Sequence, residues 1–443
     1  MHASLFLRGI FAAIVTPMLF VNTLHAEDWP QFRGPAGQGH ASGPAPLKWS
    51  EQEHLVWKTP LDGKGWSSPV IFNKQVWITT AQAKEATPEE IEKRLASNTG
   101  NQPLDVVNDL KMRAICFDRE TGKVVHDVEL MTKQSPEPIH TLNSYASPTP
   151  IIERGRIYCH FGPNGTACVE TETGKVLWTN QSNELIVKTE NGAGSTPILW
   201  ENLLIVHFDG SDRQFIAALH KDHGSIVWTT ERSGEMDSNP QLKKSYGTPL
   251  LVMVEGRPVV ISPAANWLYA YDPATGSELW KVSYGDLGFS VVPKPVERDG
   301  VVYLCTSFMK SQLLAVRYAE RGKAVKPAIE WRYQKGVSQM PSPLVVDDML
   351  YFVSDGGILT CVDAETGEMV WSERLGSNYS ASPLFADGRI YLFDREGKTH
   401  VIKPGRRFER LAENKLDGSF MASPAVADGS MYLRTDQALY RIE

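Results

Sequence analysis

Apolar positions along this chain fall in short runs broken by turn-forming residues, and the pattern repeats. At residues 380–393, Ser-Ala-Ser-Pro leads into Leu384-Phe385-Ala386, a turn at Asp387-Gly388, and a second run, Ile390-Tyr391-Leu392-Phe393. Runs this short, bounded by Pro and Gly, predict strands and not helices. The anchor of a small residue followed by Pro recurs at Ser68-Pro69, Ser147-Pro148, Thr196-Pro197, Thr248-Pro249, Ser342-Pro343, Ser382-Pro383 and Ser423-Pro424, with a weaker copy at Val292-Pro293.

A third strand in each unit runs into a turn. Cys116-Phe117-Asp118 leads to Thr121-Gly122, Cys168-Val169-Glu170 to Thr173-Gly174, Ala270-Tyr271-Asp272 to Thr275-Gly276, and Cys361-Val362-Asp363 to Thr366-Gly367. Gly supplies the positive φ such a turn needs, and the acid bonds the turn's own backbone. A Trp follows in the fourth strand at Trp178, Trp228, Trp280 and Trp371; His126 replaces it in the first unit, and Trp331 follows a longer turn in the fifth. Four short strands at this period predict an all-β, eight-bladed β-propeller of four-stranded antiparallel blades. The last unit stops after three strands, while Leu55-Val56-Trp57-Lys58-Thr59 stands alone near the front, so an N-terminal strand is expected to close the last blade. The fifth and seventh units are irregular.

Three segments fall outside the repeat. Residues 1–26 read as a signal peptide: Arg8 precedes an apolar stretch, and Leu24-His25-Ala26 offers small or apolar residues where a signal peptidase reads. No Cys stands there, so no lipid anchor is expected, and no later stretch is long and apolar enough to span a membrane. A secreted or periplasmic location follows as the expectation. Residues 27–54, rich in Gly and Pro, are expected to form an irregular arm across the ring, ahead of a propeller at 55–443. Residues 81–110 are an insertion into the first blade, where Thr87-Pro88-Glu89-Glu90 has the signature of a helix start.

The net charge of −7, from 45 basic and 52 acidic residues with no basic run, argues against nucleic acid as a partner. The cysteines Cys116, Cys168 and Cys361 share a position with Ala218, Ala270 and Ala315, which predicts small core residues. If the hairpin turns around Pro163-Asn164, Cys159 and Cys168 face one another, and an oxidising compartment would permit a disulfide. Cys305 repeats the Cys159 position without an opposite Cys, which favours packing for both.

The unit at Ala270 to Trp280, repeated at Cys361 to Trp371, resembles the pyrroloquinoline-quinone-like repeat family of β-propellers, and the entrance Asp28-Trp29-Pro30-Gln31-Phe32-Arg33-Gly34-Pro35 resembles the start of secreted bacterial members. The resemblance implies the propeller fold. It leaves function open, since the family spans quinone-dependent dehydrogenases and an outer-membrane assembly factor that works by protein contact. Its dehydrogenases carry a disulfide of adjacent cysteines, and this chain has no adjacent pair and no Cys-x-x-Cys-His.

In a propeller, residues entering the first strands converge on one mouth of the central channel. Just ahead of the anchors stand Trp66, Tyr145, Tyr246, Phe289, Met340, Tyr379 and Phe420, with Gly194 in the remaining copy, while Asn143, Asn191, Lys244, Gln339 and Asn378 lie beside them. These groups either line a pocket able to stack a sugar or planar ring, or pack blade against blade. His160, His207, Asp355 and Asp394 end second strands but belong to units spread around the ring, so no metal site is expected. Phe208-Asp209-Gly210-Ser211-Asp212 reads as a solvated hairpin loop.

Without a catalytic cluster, the expected role is a secreted recognition or scaffolding propeller that binds protein or envelope polysaccharide, with no cofactor. The rival is a sugar or alcohol oxidoreductase, with pyrroloquinoline quinone and calcium as its cofactors, or a cofactor-free carbohydrate-active enzyme.

Overall fold

The turn and strand signals assemble into eight four-stranded antiparallel sheets arranged as a propeller. The computed structural model describes residues 28–96, 102–286 and 288–443, so the signal reading of residues 1–26 lies outside the described residues. The first blade is built from Val70–Phe72, Gln75–Glu85, Val107–Asp118 and Val124–Gln134. In the last, Ala425–Ala427, Ser430–Arg434 and Ala438–Ile442 are completed by Leu55–Pro60, which pairs antiparallel with Ala438–Ile442. The N-terminal strand therefore closes the ring and removes two edges that would otherwise be free to pair with other chains.

Register explains the repeat. The small third-strand residue lies opposite the fourth-strand Trp in blade after blade: Cys168 with Trp178, Ala218 with Trp228, Ala270 with Trp280, Ala315 with Trp331 and Cys361 with Trp371. His126 faces Cys116 in the same way and stacks on Trp77. The aromatic reaches beyond its own blade to the turn of the next. Trp178 Nε1 donates to Lys221 O at 2.9 Å, and its ring covers Gly224, where an added Cβ would stand 2.4 Å from the indole. Gly224 has φ 71°, so turn geometry and the approaching ring both demand glycine there. Trp57 makes the same joint between the last and first blades, donating to Arg119 O at 3.0 Å.

A hydroxyl girdle binds the blades around the axis. The backbone N–H of Ser68 donates to Thr149 Oγ1, Thr149 to Thr196, Thr196 to Thr248, Lys294 to Ser342, Ser342 to Ser382, and Ser382 to Ser423, at 2.9 to 3.0 Å. This corrects two anchors. In Ser147-Pro148-Thr149-Pro150 the structural anchor is Thr149-Pro150, and in Val292-Pro293-Lys294-Pro295 it is Lys294-Pro295, because inner strands begin at Ile151 and Val296. Lys294 thus occupies the place that Ser or Thr holds in the other seven blades.

Between residues 81 and 110 the first blade's hairpin lengthens, with Ala81 paired to Met112 and Lys84 to Asp109. The helix Pro88–Leu95 sits on this extension, begun by a capping box between Thr87 and Glu90 and burying none of its residues. Arm residues before Leu55 cross the end of the ring where the inner strands finish. Trp29 N donates to Ile71 O, Ile152 N to Pro30 O, and Phe385 N to Gly39 O.

The Cys159–Cys168 disulfide is not formed. All five cysteines are free and buried. Register gives the reason: Cys159 pairs with Ala167 and Cys168 with Tyr158, a one-residue offset that turns the two thiols to opposite faces of the sheet. Cys159 packs in the core shared with the first blade, and Cys168 in the core shared with the third.

Candidate functional site

The channel is a cup of about 700 Å³, open where the inner strands begin and floored by Phe32 of the crossing arm. Strand alternation builds its wall in two tiers. The lower tier is the girdle of Ser68, Thr149, Thr196, Thr248, Ser342, Ser382 and Ser423. Two residues ahead, one from each blade, stand Trp66, Ser147, Gly194, Tyr246, Val292, Met340, Ser380 and Met421. The upper tier is thus a mixed ring, unlike the near-continuous aromatic ring expected.

The expected site residues divide accordingly. Trp66, Asn143, Asn191, Lys244, Tyr246, Phe289 and Gln339 line the cup. Tyr145, Tyr379, Phe420 and Asn378 do not. Tyr379 and Phe420 stand three residues ahead of Ser382 and Ser423, one off the lining register, so they turn into blade cores at 0% and 1% exposure. Tyr145 is buried between the first and second blades with its hydroxyl donating to Glu137 O, and Asn378 is exposed outside the cup. Tyr145, Tyr379 and Phe420 thus pack between blades, while Asn378 neither packs there nor lines the cup.

Polar groups break the symmetry of the wall. On one side Lys244, 2% exposed, donates to Glu190 Oε2 at 3.1 Å and to Gln241 Oε1 at 2.5 Å. Burial alone would raise the Glu190 carboxyl; the bonds from Lys244, Gln241 and Ser211 outweigh it and hold the acid below its usual range. Across the cup, Arg395 Nε donates to Ser380 Oγ at 2.7 Å and its Nη2 lies 3.8 Å from Met340 Sδ. Asp355 accepts from the backbone N–H of Gln339 and Met340 at 3.0 and 3.1 Å, and burial raises its pKa. Sequence reasoning placed Asp355 only at a strand end and missed Arg395 and Asp355 as neighbours at the mouth, because they come from different blades.

The rim is apolar. Leu142, Phe308 and Met309 are 46%, 48% and 66% exposed. Phe308–Met309 forms a short strand paired with Gly288–Phe289, and the Phe289 and Phe308 rings meet edge to face at 5.6 Å. Asn143 is committed to the frame: its Nδ2 donates to Asn191 O and Ala193 O, and its Oδ1 accepts from Ser144 N and Ser147 Oγ.

Behind the wall lies a polar core that the sequence hid. Asp209, read as part of a solvated loop, is instead fully buried against Arg232 in a two-pronged pair at 2.9 and 2.7 Å. Arg232 Nη1 reaches Ser262 Oγ at 2.6 Å, Ser262 donates to His207 Nε2 at 2.8 Å, and His207 Nδ1 donates to Gly247 O at 2.8 Å. Burial, with the Arg232 charge second, holds the His207 pKa well down, which keeps the ring neutral and leaves Nε2 as the acceptor of the Ser262 bond. His160 bonds Thr166 Oγ1 and is pushed down to about 3 by burial. His207 and His160 are structural. Among the described residues no group of three or more His, Cys, Asp or Glu is placed to hold a metal.

A pH dependence follows. His160 and His207, joined by His40, His140 and His400, are harder to protonate folded than unfolded, burial being the leading cause for each. Between about pH 6.5 and pH 5.5 the unfolded chain therefore gains protons that the folded chain refuses. Urea midpoints are expected to fall across this window; a flat or rising profile would contradict neutral buried histidines.

Comparison with known proteins places this geometry. A family model described as outer membrane protein assembly factor BamB matches residues 110–330 and, overlapping, 264–404. Proteins of that name from Moranella endobia and Shewanella oneidensis are each 23% identical over 57% of this chain, which covers 61% and 64% of their lengths. The chain thus spans about three-fifths of these relatives. Among solved structures, BamB from Moraxella catarrhalis has a TM-score of 0.53 at 14% identity, over 77% of this chain and 100% of that one. A europium-containing methanol dehydrogenase has a TM-score of 0.62 at 11% identity, over 92% and 89% of the two chains. At these identities the likeness is one of fold.

Proposed function

From its membership of the family described as outer membrane protein assembly factor BamB, to which this chain belongs, we propose that the open mouth docks a segment of another protein, and that the propeller serves outer-membrane protein assembly from the periplasmic side. The observation that carries this reading is the exposure of Leu142 and Phe308 at the cup, with exposed Met309 next to Phe308 in the chain. Apolar groups exposed together around a concavity mark interaction surfaces, and a partner's apolar side chains would gain most by entering there. Protein is favoured over envelope polysaccharide because Leu142, Phe308 and Met309, the large apolar groups exposed here, suit a partner's apolar side chains.

The experiment uses a urea-unfolded outer-membrane β-barrel protein diluted into solution with the labelled chain, read by anisotropy. Phe308→Asp with Met309→Asp is expected to weaken binding by about tenfold or more, the scale of losing one or two anchor residues. Equal binding by the double variant, or binding displaced by envelope glycans, would reject the docking reading.

A second reading, an enzyme acting on a small molecule, rests on Asp355, whose raised pKa and place on the wall suit an acid or base. Both backbone N–H bonds to Asp355 end on one oxygen, Oδ1, and among the described lining residues no second acid stands beside it. The donor set does not fit quinone with calcium: among the described lining residues Asp355 is the one carboxylate, and its Oδ1 is already spent on two backbone N–H groups, whereas a calcium site is built on charged oxygen ligands turned to the ion. Adding pyrroloquinoline quinone with Ca²⁺ discriminates the two readings, since a spectral change with dye reduction would favour the enzyme.

A further inference from the structure

Asp355 and Arg395 hold corresponding places in neighbouring blades, each two residues past the end of a second strand, Met349–Val353 in the sixth blade and Arg389–Phe393 in the seventh. Both line the cup. The turn that carries Arg395 is fixed by Asp394, whose Oδ1 accepts from the backbone N–H of Glu396 at 2.9 Å and of Lys398 at 2.8 Å, while Arg395 N donates to Asn378 O at 2.7 Å. From this base the guanidinium spends Nε on Ser380 Oγ and makes only the weak sulfur contact of Nη2 with Met340. Nη1 has no hydrogen-bond partner among the described residues, so the far edge of the fork meets no oxygen. The residue is partly exposed, and Nη1 keeps surface open to solvent.

The two cations of the cup wall differ in this respect. Lys244 is paired with Glu190, whereas among the described residues no ion pair is made by Arg395. The charged or titratable groups that face Arg395 are Asp355 and His140. Asp355 holds the entrance of the sixth blade with its Oδ1, and its charge does not make up for the burial that lowers the Arg395 pKa. His140 is kept down by burial, with the Arg395 charge adding to it, and brings no negative charge.

A partly desolvated guanidinium without an acid gains most from an arriving carboxylate, and its far edge offers two parallel N–H groups that match one. We propose that the segment docked at the mouth carries an acidic side chain among its apolar ones, and that this carboxylate binds Nη1 and Nη2 of Arg395. The inference rests on the docking reading and names the chemistry of the partner that reading calls for. Phe289, Phe308, Met340 and Met421 line the same cup, so the residues flanking the acid are apolar. A neutral segment would leave the guanidinium unpaired, and a basic one would be repelled, so Arg395 sets specificity.

The test uses the whole chain and labelled peptides of one apolar-rich sequence, acetylated and amidated at their ends, with Glu, Gln or Lys at one central position. By anisotropy the Glu peptide is expected to bind about tenfold tighter than the Gln peptide, the scale of a hydrogen-bonded charge, and the gap should narrow as salt rises. Arg395→Gln should remove the difference, and Arg395→Glu should turn the preference toward the Lys peptide. Equal binding of the Glu and Gln peptides, a preference that survives in Arg395→Gln, or no binding by any peptide would each overturn the proposal. So would a Gln peptide with a free C-terminal carboxylate that binds as well as the Glu peptide, since the chain end and not a side chain would then be recognised. The comparison of Glu with Gln peptides on the parent chain holds even if the variants fail to fold. An unfolded β-barrel protein that still binds while the peptides show no preference would leave docking standing and remove the acid.

Discussion

Asp209→Asn is expected to lower the free energy of unfolding by about 3 to 5 kcal/mol, the usual cost of removing one member of a buried ion pair. Both side chains are 0% exposed, so the Arg232 charge left behind finds neither water nor another acid. Burial by itself would lower the Arg232 pKa; the Asp209 charge, with help from Tyr271, reverses that and keeps the guanidinium charged. The amide would keep the shape and one acceptor while deleting the charge, which isolates electrostatics from packing. The damage should spread along the Ser262 and His207 bonds that Arg232 orders. Urea unfolding followed by tryptophan fluorescence measures it, and a loss below about 1 kcal/mol would show that the pair is not desolvated as drawn. Replacing the pair together, Asp209→Leu with Arg232→Met, should recover much of the loss, because no orphan charge remains.

Trp57→Ala should cost a comparable amount, about 3 to 5 kcal/mol for deleting a buried Trp, and should also open the ring. Trp57 is 8% exposed, packs at 6.0 Å from the Tyr432 ring, and donates to Arg119 O across the seam between the last and first blades. Its strand is held in the last blade by pairing with Ala438–Ile442. Trp178→Ala is the matched control, since it removes the same kind of joint between blades already linked by chain. Both variants should lower the midpoint. Only Trp57→Ala should expose the seam to limited proteolysis and give concentration-dependent self-association through the freed edges. Equal protease patterns in the two variants would show that closure does not depend on this strand.

The frame was legible because its signals are local. A turn glycine, a Trp a few residues later and a small residue opposite it repeat within single blades, so the sequence carries the blade count, the closing strand and the capped helix Pro88–Leu95. The doubled anchors were the weak point. Ser147-Pro148-Thr149-Pro150 and Val292-Pro293-Lys294-Pro295 each offer two starts, and only hydrogen bonds to neighbouring blades select Thr149 and Lys294. A slip of one residue reverses a side chain, which is why Tyr379 and Phe420 belong to cores and why Cys159 and Cys168 never meet.

The sequence by itself thus determined an eight-bladed ring, through interactions that span one blade and its neighbour. The tertiary structure alone decided which side chains share the cup, that Asp209 is buried against Arg232, and that Arg33 of the arm lies beside Lys294. Those meetings join segments far apart in the chain, and no local period encodes them. They depend on where closure brings each blade and on which residues the crossing arm covers.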